Sequence, residues 1–523
     1  MRLAKTITVC GIAVAAAACL PTPHPLPKPE GRRAEVAPVT PQPTAGATAV
    51  QAPVEAPRQS GVATDPPPLL REFRAAWVAT VDNIDWPSRK GLPTDQARAE
   101  LDAIVDRAVQ VGLNALVFQV RPAGDAFYES SLEPWSEWLT GAQGKVPNPK
   151  WDPLAHVIER CHERGLQLHA WFNPYRVSHP AGKSKPAAES FRRREPGACV
   201  QYGSFDWMDP GNSRAADWSL QVIVDVVRRY DVDGVHIDDY FYPYPEGKQD
   251  FPDDDTFGRY RRAGGKLDRG DWRRQNIDRF VQRMYDEVHR TKSWVQVGIS
   301  PFGIARPGVP KGIQAGIDQF AQLYADVPKW LQQGWVDYLS PQLYWPIDQK
   351  PQSFAALLSY WHAQNTRRRH VWPGINPGRA LQQKPPTRPT ELADQIALIR
   401  NEKATHGEVH FSFKALRTDA PNVGGVLRRE LYREPAVAPA SPWLGNESPA
   451  ALAAQLQGDT VTWRSGRDVL FVAVQIEAGG RWRTHAVVGA NVGSAALPAG
   501  ISRVAVTPVG RSMVTGTATI LAK

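Results

Sequence analysis

Between residues 70 and 435 short apolar runs alternate with longer stretches in which apolar residues recur every three or four positions. Eight runs read as strands: 74-RAAWVAT-80, 114-NALVFQV-120, 167-QLHAWF-172, 233-DGVHID-238, 295-VQVGIS-300, 336-VDYLSP-341, 370-HVWPGI-375 and 408-EVHFSF-413. Between them 95-DQARAELDAIVDRAVQVG-112, 151-WDPLAHVIERCHERG-165 and 213-SRAADWSLQVIVDVVRRY-230 read as helices, several closed by a Gly suited to a left-handed C-cap. Strand and helix in repeated alternation predict a parallel sheet. Eight such units over residues 69–435 favour an α/β fold of the closed (β/α)8 TIM-barrel type over an open doubly wound sheet. No Gly-rich phosphate fingerprint opens the first unit, which counts against a dinucleotide fold.

Past residue 435 the period changes to two. The runs 459-DTVTWRS-465, 469-VLFVAVQIEAGGRWRTHAVV-488 and 502-SRVAVTPVGRSMVTGTATILA-522, separated by Gly and Pro turns, predict a small β-sandwich over 436–523, fibronectin III-like or another type. Its pattern leaves open whether it binds a polymer or braces the barrel.

The N-terminus has no place in either domain. In MRLAKTITVCGIAVAAAAC a positive start is followed by a small apolar run too short to stay as a membrane span, as in a secretion signal. Ala16, Ala17 and Ala18 before Cys19 resemble a bacterial lipoprotein processing site, with Ala16 where Leu is usual. Residues 1–19 are therefore expected to be signal peptide and lipidation site, with Cys19 anchoring the chain to a membrane. Position 20 is not Asp, which by the Gram-negative sorting rule points to an outer-membrane lipoprotein facing the periplasm. Residues 20–68, dense in Pro, Ala, Thr and Val, are expected to be a disordered spacer. At about 3.1 Å per residue it would reach on the order of 100 Å.

Composition excludes some partners. A net charge of +9 invites nucleic acid, but Lys and Arg are scattered, without zinc spacing, RNA-binding aromatics or a basic helix, so no nucleic-acid partner is expected. An anionic envelope polymer or a membrane surface fits as well, and a merely solvated basic surface fits better than either. Beyond Cys10 and Cys19 only Cys161 and Cys199 remain, which permits one disulfide but no metal set. No metal or other cofactor is expected. The 18 Trp residues exceed usual usage, and tryptophan is both core filler and a platform for sugar rings.

In a barrel of this type function sits at the C-terminal ends of the strands. Those ends carry Asp85 and Trp86; Arg121 and Asp125; Trp171, Asn173, Tyr175 and Arg176; His236, Asp238, Asp239, Tyr240 and Tyr242; Ser300 and Phe302; Gln342, Tyr344 and Trp345. Carboxylates, amides and aromatics together make a carbohydrate site. Alternation within 234-GVHID-238 turns Val235 and Ile237 toward the helices and His236 and Asp238 into the barrel, with Asp239 opening the loop above. Two close carboxylates cannot both ionise freely, so one is expected to keep a proton near neutral pH, the division of roles glycoside hydrolysis needs.

The strings RAAWVATVDNIDWP, NALVFQVRPAGDAFYESSLEPWSEWLTG, HAWFNPYR, DGVHIDDYFYP, GISPFGI and DYLSPQLYWP, in this order, resemble the glycosyl hydrolase-like 10 family of envelope proteins. The resemblance implies a (β/α)8 barrel and hydrolysis of peptidoglycan glycan strands, especially strands freed of stem peptides. By analogy with enzymes that use the substrate acetamido group as nucleophile, Asp238 would orient that group and Asp239 would be the acid. A competing version makes Asp238 nucleophile or base, with the acid drawn from Asp85, Asp125, Glu129 or Asp348. Substrate binding is expected from Trp86, Asp85, Arg121, Asn173, Tyr175, His236, Tyr242, Gln342, Tyr344 and Trp345, with Arg121 on the lactyl carboxylate of muramic acid. The alternatives are a non-catalytic polysaccharide-binding lipoprotein and a metal-dependent deacetylase or amidase using His169, His236 and Asp238.

Overall fold

The computed structural model describes residues 65–382, 387–402, 406–419 and 422–523. The signal-like segment, Cys19 and the spacer through residue 64 lie outside the described residues.

Eight parallel strands run from β1 (Phe73–Val78) through β2 (Ala115–Arg121), β3 (Gln167–Phe172), β4 (Gly234–Ile237), β5 (Gln296–Ile299), β6 (Tyr338–Leu339) and β7 to β8 (Gly407–His410). Helices Thr94–Val111, Pro153–Glu163, Ser213–Arg229 and Arg269–Thr291 follow the first four strands, and Val327–Gln333, Phe354–Ala363, Glu391–Asn401 and Phe413–Thr418 the last four. β8 pairs back onto β1, which closes the ring. β7 is one run in sequence and two pieces in space: His370–Val371 pairs with β6, and Gly374–Ile375 pairs with β8. Pro373 between them has no N–H to continue the first ladder.

Side-chain alternation builds the interior. Phe73, Ala75 and Trp77 point inward with Val117, Trp171, Tyr338 and Trp372, while Ala76 and Val78 pack outward beneath the helices. Two glycines make room for rings on neighbouring strands. Gly234 lies opposite His169, where a Cβ would stand 2.4 Å from the imidazole. Gly298 lies opposite Tyr338, where a Cβ would stand 1.9 Å from the phenol ring.

The C-terminal region is a sandwich of two antiparallel sheets. One holds Ala453–Gln457, Thr460–Arg464 and Ser494–Ala496; the other holds Arg481–Gly489, Val469–Ala478, Arg503–Gly510 and Thr519–Ala522. Val461, Trp463, Val472, Val474, Ile476 and Val504 fill the space between them. Leu470, Phe471, Val509 and Met513 instead join Phe73, Tyr338 and Trp372 in the barrel core. Polar contacts seal this junction. Gln296 Nε2 donates to Ser441 Oγ at 2.6 Å, Trp443 Nε1 donates to Asp337 Oδ1 at 2.7 Å, and Arg511 grips Asp231 at 2.7 and 2.9 Å. Gln296 begins β5, and Asp231 and Asp337 precede β4 and β6. The sandwich therefore braces the barrel at the end opposite the strand C-termini. Cys161 and Cys199 are free thiols, not a disulfide.

Candidate active site

Trp171 on β3 stands opposite His236 on β4 in the parallel register. Two residues further, on the same face, Asn173 and Asp238 leave the strands side by side. Trp171 Nε1 donates to Asp238 Oδ2 at 3.2 Å, Asn173 Nδ2 to the same oxygen at 3.1 Å, and the Tyr240 backbone N–H to Oδ1 at 3.3 Å. Asp239 accepts from the Tyr244 hydroxyl and hydrogen-bonds the side chain of Gln342.

The two carboxyls are both buried but not equivalent. Burial, and then the charge of Asp238, pushes Asp239 up to about 7. Burial raises Asp238 as well, but the Arg176 guanidinium and the N–H donors around it work in the opposite direction. The pair shares protons as a unit, and this asymmetry puts the first proton on Asp239.

Below them lies a chain of neutral groups. Trp77 Nε1 donates to His236 Nε2 at 3.1 Å; an indole can only donate, so His236 carries its proton on Nδ1, facing the Tyr338 hydroxyl 3.0 Å away. Tyr338 in turn reaches His169 Nδ1 at 2.9 Å, and Ser300 Oγ lies 2.9 Å from His236 Nε2. Burial holds His236 well below the ordinary imidazole range and brings His169 down to about 4. No histidine cation therefore stands under Asp238 at neutral pH.

Residues 72–385 match the family model described as glycosyl hydrolase-like 10. The chain belongs to this family. It is 38% identical over 388 residues to the glycosyl hydrolase YngK of Bacillus subtilis strain 168, an alignment covering 72% of this chain and 75% of that protein. It is 35% identical over 312 residues to the glycosyl hydrolase DigH of Escherichia coli strain K12, covering 55% of this chain and 69% of that protein.

In this glycosyl hydrolase-like 10 chain, Asn173 and Gln342 gather at the carboxylate pair, while His236, fully buried with both ring nitrogens engaged, lies beneath it and has no free nitrogen for a sugar hydroxyl. Tyr344 stacks on Phe411 with ring centroids 5.5 Å apart, and burial, then the Asp239 charge, raises its phenol. Trp345 meets Phe302 edge-on at 5.8 Å and is half-buried on the same rim.

Five expected binding residues lie elsewhere. Trp86 is fully buried among Phe118, Phe127 and Trp151, and its Nε1 donates to the Ala97 carbonyl. Tyr175 packs on Phe280, and Tyr242 on Phe251 and Tyr324, so neither offers a face to a sugar. Asp85 is a latch: it accepts from the Ala79 N–H, Ser412 Oγ and the Lys414 N–H, tying the end of β1 to the end of β8. Arg121 is closed off in a two-pronged pair with Glu133, at 2.8 and 2.5 Å, and cannot take a substrate carboxylate. Its Nη1 also donates to the Asn173 carbonyl at 2.5 Å, so it acts on the site through the main chain.

Of the other carboxyls considered as acids, Asp348 pairs with Arg388 and Glu129 with Lys150. Asp125 is turned back on its own loop, accepting from the Ala123 N–H. The residues not anticipated are Tyr244, Trp77 and Tyr338. Trp77 and Tyr338 share the inward face of their strands with known neighbours, a signal that alternation carries. Tyr244 sits in a loop, where no period says which of Tyr240, Tyr242 and Tyr244 turns inward.

Proposed function

We propose that this chain is a glycoside hydrolase cleaving β-1,4 bonds in peptidoglycan glycan strands freed of stem peptides. The observation that carries this reading is the adjacent pair Asp238–Asp239, one carboxyl ringed by N–H donors and the other pushed up to about 7. Membership of a glycosyl hydrolase-like family and the half-buried Tyr344 and Trp345 at the rim support a sugar polymer as substrate.

In the proposed mechanism the sugar's acetamido N–H hydrogen-bonds Asp238, whose charge turns the acetamido oxygen toward the anomeric carbon. Asp239 gives its proton to the glycosidic oxygen as the C1–O bond breaks. The acetamido oxygen closes on C1 to form an oxazolinium ion. Water then attacks C1, displacing the acetamido oxygen so that the ring opens and the acetamido group re-forms, and gives its proton to Asp239, so that both carboxyls return to their starting states. The metal-dependent alternative is poorly served, because both ring nitrogens of His236 are engaged by Trp77, Ser300 and Tyr338.

The N-terminal signal supports an envelope setting, with a lipid on Cys19 holding the chain to the outer membrane and the spacer letting the barrel reach the wall.

Mass spectrometry of products from peptide-free and peptide-bearing glycan tests the reading. Short saccharides that have gained one water, produced by the wild type and not by Asp238→Asn or Asp239→Asn, are expected. Intact polymer retained on the protein would make it a binder. Failure of thiazoline analogues to inhibit would remove the acetamido step.

A further inference from the structure

Four arginines in the described residues are buried: Arg74, Arg121, Arg176 and Arg273. Three have a carboxylate in contact, Glu72 at 2.6 Å, Glu133 at 2.5 Å and Asp253 at 2.7 Å. Arg176, at 4% exposure, pairs with no carboxylate among the described residues. Its Nη1 makes a long contact of 3.4 Å to the Pro122 carbonyl, and its Nε is buried without a partner. Its guanidinium lies 4.3 Å over the Tyr240 ring and hydrogen-bonds the same side chain. Burial raises that phenol to about 12, so it carries no negative charge near neutral pH. Its charge acts on Asp238 across space, but the two make no ion pair, so the guanidinium keeps hydrogen-bonding capacity that a ligand anion would complete.

Its position says which anion. Asn173 links Arg176 to Asp238: its Oδ1 accepts from the Arg176 backbone N–H at 3.1 Å, and its Nδ2 donates to Asp238. Arg176 is thereby fixed beside the carboxylate that, in the function proposed above, holds the acetamido on C2 of the sugar. The neighbouring substituent, on C3, is a hydroxyl in N-acetylglucosamine and a lactyl ether in N-acetylmuramic acid. The lactyl group ends in a free carboxylate once the stem peptide is gone and in a neutral amide while the peptide is attached.

We propose that Arg176 binds the free lactyl carboxylate of the muramic acid whose acetamido group engages Asp238. This inference rests on the glycan-strand reading and sharpens it in two ways. It makes the bond cut the one on the C1 side of muramic acid, so the new reducing end is muramic acid. It also gives peptide-free strands an advantage by charge as well as by size. A guanidinium–carboxylate contact of this kind gives about 10- to 100-fold in binding.

The experiment compares two versions of one peptide-free glycan, with lactyl carboxylates free or converted to methylamides, using the full chain and its Arg176→Gln and Arg176→Lys variants. The wild type is expected to favour the free acid by about tenfold or more in kcat/KM, mainly through KM. Arg176→Gln is expected to treat the two alike, and Arg176→Lys to keep part of the preference. A wild type indifferent to methylamidation, or an Arg176→Gln variant with the wild-type ratio, would overturn the proposal. Borohydride reduction of the products is expected to yield muramicitol ends; glucosaminitol ends would overturn it as well. If Arg176→Gln does not fold, the wild-type ratio, the Lys variant and the end-group analysis still decide. A wild type that cuts neither glycan would instead remove the glycosidase reading on which the proposal stands.

Discussion

Asn173 Nδ2 lies 3.1 Å from Asp238 Oδ2, and the pairing of β3 with β4 is what brings them together. The two side chains leave adjacent strands one step above the Trp171–His236 pair, so their distance is set by backbone register. Asn173→Ala removes an N–H from a buried carboxylate and is expected to lower kcat by about 10- to 100-fold, a charge-assisted bond being the one lost. Steady-state release of reducing ends from peptide-free glycan measures it.

Asp239 as the acid predicts a leaving-group effect. Asp239→Asn is expected to lower kcat on glycan by about 100- to 10,000-fold, the usual range for a general acid. The same variant is expected to lose far less on an aryl glycoside with a nitrophenol leaving group, which departs without a proton. Equal losses on both substrates would assign the acid elsewhere.

The pH profile follows from the same residue. With Asp239 at about 7, activity is expected to fall as pH rises through that value, since the proton to be donated is lost. The Tyr244 hydrogen bond lowers this carboxyl, so Tyr244→Phe is expected to move the alkaline limb to higher pH, whereas Tyr242→Phe leaves it in place.

Stability carries the opposite face of that shift. A carboxyl raised from 3.8 to about 7 by folding favours the folded state fully below pH ~4 and loses that contribution as pH rises through about 7. Asp239→Asn, which needs no proton to be neutral, is expected to melt higher than the wild type at pH 8 and to lose that advantage at pH 4. Thermal denaturation at the two pH values checks it.

Arg121 is expected to matter for the fold before it matters for the sugar. Arg121→Ala leaves Glu133 charged and buried and is expected to destabilise by about 3–5 kcal/mol. Arg121→Met combined with Glu133→Leu is expected to recover most of the melting temperature while kcat stays low, because the Asn173 carbonyl has lost its donor.

The junction between sandwich and barrel makes a last claim. Phe471 is 2% exposed and packs in the barrel-floor cluster with Phe73 and Trp372. Phe471→Ala is expected to cost about 3–5 kcal/mol by leaving a cavity, with KM unchanged for the molecules that remain folded. Chemical denaturation and kinetics on one preparation separate the two effects.

Alternation along the chain was enough to determine the barrel, its eight strands, the change to a β-sandwich after residue 435 and the inward turn of His236 and Asp238. These follow from periods of two and 3.6, which are local properties of the backbone. Asn173, Gln342 and Tyr344 were legible for the same reason, as residues at or just past strand ends. Tertiary structure alone decided the rest. Whether a strand-end side chain faces the cavity or a neighbouring helix depends on loop paths: Trp86, Tyr175 and Tyr242 turned into packing, and Tyr244 turned in. Whether a cation is paired depends on which carboxylate folds against it: Glu133 closed Arg121, and among the described residues no carboxylate forms an ion pair with Arg176. Pairings of this kind join residues far apart in the chain, and no local period encodes them.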